Sequence, residues 1–109
     1  MMLEEFDARS AETRDQVTCV IYRWDAPSPF RSFGEYQRAL ADAYQARADF
    51  YDEVITYLTT DATAPDIPAR GLVFGALLDA RTGCQAAVYA ARREARDADR
   101  RDAGSGAGS

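Results

Sequence analysis

The sequence predicts an all-α protein: three helices, the second and third long and paired as an antiparallel hairpin, assembled into an oligomeric helical bundle. Two observations carry this. The first is a triple seven-residue register in the middle of the chain. Phe33, Leu40, Arg47 and Val54 form one row, Tyr36, Ala43, Phe50 and Tyr57 a second, and Gln37, Tyr44, Tyr51 and Leu58 a third. On a helix these rows lie side by side and make one broad aromatic face. The second is the want of strand partners. Only Val17–Trp24 is rich in β-branched and aromatic residues, and a lone strand has nothing to pair with.

Residues 2–24 are expected as the first helix. Leu3, Phe6, Ser10, Thr13, Val17, Val20 and Trp24 follow alternating spacings of three and four. The acidic start suits the helix dipole. Pro27 and Pro29 then mark a connector. Ser32 and Glu35 form a capping box, Ser32 as N-cap and Glu35 three residues on. The second helix is expected from Phe33 to about Thr59. Its solvated rows are Glu35, Asp42, Asp49 and Arg38, Gln45, Asp52, and its small row is Gly34, Ala41, Ala48, Ile55. Such a small row lets a second backbone come close.

Pro65 and Pro68 fix the second connector, with Pro68 in the first turn of a third helix running to about Arg100. Its seam is Val73, Leu77, Ala80, Cys84, Ala87 and Ala91, flanked by Phe74, Val88 and Ala95. Gly71, Gly75 and Gly83 weaken this helix, and the tyrosines of the second helix are expected to pack over them. Residues 1–102 make one helical domain. Residues 103–109, AGSGAGS, have flexible-linker composition.

The chain has 109 residues, enough for one modest core. All 13 basic residues are Arg, with no Lys, His or Asn and abundant Ala. This is the signature of a GC-rich genome of the actinobacterial or phage kind. Without His there is no His-based acid–base catalysis and no His-ligated metal. Without Lys there is no Schiff base and no Walker-type phosphate lysine. No cofactor and no metal is expected. Cys19 and Cys84 lie in apolar stretches and read as buried free thiols, with a bridge between them as the sharper alternative. The acidic N-terminus and the short apolar runs point to a cytoplasmic protein away from membranes. A net charge of −5 disfavours nucleic acid as a partner.

Three places invite chemistry. Arg47 breaks an apolar row. It is expected to snorkel, its stem on the core and its head in water. The alternative is a buried Arg paired with a carboxylate such as Asp79, and Arg81 poses the same question. Asp42, Asp49, Asp52 and Glu53 cluster on one side of the second helix, but lack the dense acidic pairs of magnesium-dependent hydrolases. From Arg92 to Asp102 charges alternate, and Arg93–Asp97 and Asp97–Arg101 have the spacing of helical ion pairs.

The expected function is protein–protein interaction, as an assembly factor, adaptor or regulator. The partner is a second copy, a dimer being favoured, and a further protein. The interface expected is Phe33, Tyr36, Leu40, Tyr44, Arg47, Phe50, Tyr51, Val54, Tyr57 and Leu58. Two alternatives stand beside this. One is an acidic inhibitor that competes with nucleic acid for a basic surface. The other is a magnesium-dependent all-α nucleotide hydrolase.

Overall fold

The computed structural model describes residues 3–25, 28–61 and 69–107, in three helices with no strand among them. Helix α1 is Leu3–Trp24, α2 is Phe33–Thr60 and α3 is Arg70–Ala107. The helix expected over residues 2–24 forms, and Val17–Trp24, despite its β-branched and aromatic residues, is helical throughout. Glu4 and Glu5 at its start and Arg23 in its last turn both favour the helix dipole.

The capping box of α2 forms, with one substitution of partner. Ser32 is extended (φ −151°, ψ 164°) and its hydroxyl accepts from the Glu35 N–H at 3.1 Å. The Glu35 carboxylate takes the Arg31 N–H at 3.3 Å rather than that of Ser32. At the other end the Asp61 N–H donates to the Tyr57 carbonyl, and Arg70 donates to the Leu58 carbonyl at 3.0 Å. An Arg here satisfies a carbonyl of the last turn that the helix cannot. Pro65 and Pro68 lie outside the described residues. Ala69, just before α3, has a left-handed φ of 54°, and its carbonyl accepts from Leu72 and Val73.

Helix α2 is the centre of the molecule. Both α1 and α3 lie along it, and no α1 Cα comes within 8 Å of an α3 Cα among the described residues. Three side-by-side helices, one of 38 residues, give an elongated body of 63 × 24 × 19 Å. The backbone that the small row of α2 lets come close is that of α3. Ala48 is fully buried and Ala41 nearly so, facing Leu77, Cys84, Val88 and Ala91 in two adjoining clusters. Further along α3, Ala95 and Ala98 are also buried. Helix backbones separated only by alanines come close together.

The glycine that matters is Gly34. A β-carbon there would stand 2.6 Å from Asp99 Oδ1 and 3.5 Å from the Ala95 carbonyl oxygen. The expectation that tyrosines cover Gly71, Gly75 and Gly83 is corrected: nothing lies within 4 Å of a β-carbon built on any of the three. They sit away from the buried row Leu77, Cys84, Ala91, Ala98. Helix α3 also runs seven residues past Arg100, into the glycine–serine stretch. No proline interrupts it there, and adding residues to an existing helix needs no new nucleus.

Candidate functional site

The aromatic face of α2 is the most elaborate surface the sequence encodes, and α1 lies along it. Phe6 packs on Phe50 with ring centroids 5.5 Å apart. At the other end Trp24 stacks on Tyr36 at 4.7 Å and meets Phe33 edge-on at 5.6 Å. Of the ten residues expected at an interface, Tyr36, Phe50, Tyr51 and Val54 are buried within one chain. Phe33, Leu40, Tyr44, Arg47, Tyr57 and Leu58 are half-buried. The single chain thus already supplies cover for much of this face. Burial holds the Tyr36 phenol above its ordinary pKa, so its hydroxyl stays protonated.

Arg47 sits at the middle of the α1–α2 seam. Its Nη1 donates to the Ser10 carbonyl and to Thr13 Oγ1, both at 2.9 Å, and its Nη2 donates to the Tyr51 hydroxyl at 2.9 Å. The guanidinium also lies 5.2 Å from the Tyr51 ring centroid. Both expectations for Arg47 are therefore corrected. It does not merely snorkel, and its partners are not carboxylates: Asp79 is exposed on α3. The reason is that α1 presents small hydroxyl residues, Ser10 and Thr13, where its apolar seam would otherwise run. The polar gap in α1 matches the polar break in α2.

A second polar contact joins the same helices. Arg9 Nη1 donates to Glu53 Oε1 at 2.8 Å, and Nη2 donates to Oε2, a two-pronged pair. That bond holds the Glu53 carboxyl below the usual Glu range and raises the Arg9 guanidinium. The cation of Arg9 also lies over the Phe50 ring at 5.1 Å.

Polar contacts between α2 and α3 flank the alanine seam. Arg38 pairs with Asp99 and Arg81 with Asp52, each at 2.8 Å. The Nε of Arg81 is buried and finds no acceptor among the described residues. Near the Arg38–Asp99 pair, an open groove of about 350 Å³ is lined by Arg38, Asp42, Arg92, Arg96 and Asp99 over Ala41 and Ala95. In the terminal run Asp97 lies 3.9 Å from Arg100, the residue before the Arg101 that its spacing predicts.

The acidic side of α2 is occupied by protein donors. Asp49 accepts from Gln45, Asp52 from Arg81 and Glu53 from Arg9. Among the described residues no three His, Cys, Asp or Glu side chains converge as a metal site would need. Both cysteines are free thiols, but only Cys84 is buried, so the expectation of two buried thiols is corrected. Cys19 lies on the outer side of α1, two residues beyond the buried Val17. Burial raises the Cys84 thiol's pKa, against the pull of nearby Arg47.

No protein-family model, curated protein or solved structure matches this chain. No helix among the described residues is long and apolar enough to cross a membrane.

Proposed function

We propose that this chain is a small helical protein–protein interaction module that self-associates, with the dimer as its simplest form. One observation carries the reading: every large hydrophobic side chain left exposed belongs to an outer helix. Leu3, Ile21, Tyr22 and Trp24 are on α1, and Leu72, Leu78 and Tyr89 are on α3, with none on α2 among the described residues. Leu78 and Tyr89 are eleven residues apart and share the side of α3 turned away from α2.

The area of the molecule points the same way. Its accessible surface is 7216 Å² for a mass of 12.0 kDa. A compact monomer of that mass exposes about 6,000 Å². The excess is of the order that a standard interface buries on each partner, about 800 Å². Helices α2 and α3 serve as an antiparallel hairpin scaffold. The pairs Arg38–Asp99, Asp52–Arg81 and Leu58–Arg70 support this, since numbers rise along α2 as they fall along α3. Two unbridged thiols fit a cytoplasmic place of work.

Light scattering tests the reading. At high micromolar concentration the chain should show more than one protomer mass. A monomer at every concentration would end the proposal.

A further inference from the structure

We infer that the surface of α2 beneath α1 accepts the α1 of a second copy, so that self-association proceeds by exchange of the first helix. The inference rests on the self-association proposed above and adds what passes between the copies.

The holding of α1 differs in kind from that of α3. Helix α3 contributes Leu77, Cys84, Val88, Ala91, Ala95 and Ala98 to the buried core. Helix α1, with 22 residues, contributes Val17 alone. Its hold is otherwise made of half-covered aromatic contacts and of polar pairs. Apolar burial is the main source of helix docking energy. An exposed ion pair such as Arg9–Glu53 adds little. Helix α1 is therefore the element of this fold that detaches first.

What α1 uncovers on leaving is specific. It bares Phe50 and Tyr36, with Arg47 and Glu53 set between them. The complement is an amphipathic helix with an aromatic residue near each end, a backbone carbonyl and a hydroxyl opposite Arg47 and an Arg opposite Glu53. In this chain α1 has that pattern in Phe6, Arg9, Ser10, Thr13 and Trp24. A second copy supplies the same helix, and every contact made within one chain is remade between two. Exchange of an identical element is a low-cost route to a symmetric dimer.

The test uses full-length chains with Cys19→Ser, leaving buried Cys84 in place. One variant adds Arg9→Cys, a second adds Glu53→Cys, and a third carries both. The first two are mixed, unfolded and refolded together, then treated with a short bismaleimide. Exchange predicts a covalent dimer containing one chain of each, well above the level in either variant alone. The double variant should crosslink to dimer mass as well. Crosslinking of the double variant only within one chain, with no mixed product, overturns the exchange. If light scattering still shows a dimer in that case, self-association stands and α1 stays at home. If it shows a monomer, both fall.

Discussion

Gly34 on α2 faces Asp99 on α3 at a distance no β-carbon would tolerate: one added there would lie 2.6 Å from the carboxylate oxygen. The same carboxylate is held by Arg38 at 2.8 Å. Gly34 therefore leaves room for an interhelix ion pair at the start of α2. Gly34→Ala should gain about 0.5–1 kcal/mol from helix propensity and lose much of that by displacing Asp99. In an Asp99→Ala background, where the obstruction is gone, the full gain should appear. Denaturant unfolding of the four variants reads this as a double-mutant cycle. Equal gains in both backgrounds would show that Asp99 does not limit the site.

Arg47 should couple to Thr13 and not to Asp79. Arg47→Ala removes three hydrogen bonds and the stem that covers the seam, and should cost about 2–3 kcal/mol. Arg47→Met keeps the stem and should cost roughly half as much. The cycle with Thr13→Val should show a coupling of about 0.5–1 kcal/mol. The cycle with Asp79→Ala should be flat. A strong Asp79 coupling would contradict the contacts seen at Arg47.

The two thiols should differ sharply. Cys19 is exposed, whereas Cys84 is buried and its pKa is raised. The thiolate is the reactive species, so both burial and the raised pKa slow Cys84. Mass spectrometry after brief maleimide treatment near neutral pH should find one label on the folded protein and two in denaturant. Two fast labels in the folded state would mean that the α2–α3 seam opens readily.

The α1–α2 contact should weaken in acid. Glu53 has its pKa lowered by the hydrogen bond from Arg9. A carboxyl depressed in the folded state contributes stability above its ordinary value of 4.5, and that contribution is lost as pH falls through the folded value. The pair is largely exposed, so the effect is small and is screened by salt. Amide exchange in α1, followed from pH 6 to pH 3, should accelerate beyond the intrinsic rate, and Glu53→Gln should remove the extra pH dependence. An unchanged profile in Glu53→Gln would assign the acid sensitivity elsewhere.

Much of the architecture could be read from residue spacing. The row Gly34, Ala41, Ala48, Ile55 implied a close backbone neighbour, and α3 supplies it. Ser32 and Glu35 marked the start of α2 by local hydrogen-bonding chemistry alone. Helix α1 was legible from its three-and-four pattern. These features depend on residues within a turn or two of one another, and helical periodicity reports such neighbours directly.

Tertiary structure decided which partner each face takes. Periodicity shows that Phe50 needs cover but carries no address for it, and in this structure Phe6 and Arg9 of α1 lie against its ring. Arg47 looked misplaced in an apolar row because Ser10 and Thr13, its partners, lie 37 and 34 positions away. The same limit applied to Cys19, whose apolar neighbours in sequence gave no sign that it faces outward. Gly71, Gly75 and Gly83 resembled packing glycines, yet among the described residues Gly34 is the glycine that meets a neighbouring helix. A sequence fixes the turn-by-turn geometry of each helix because those forces are local. The rotation of each helix about its axis is set by apolar surface and polar groups matched across helices, and that matching exists only in three dimensions.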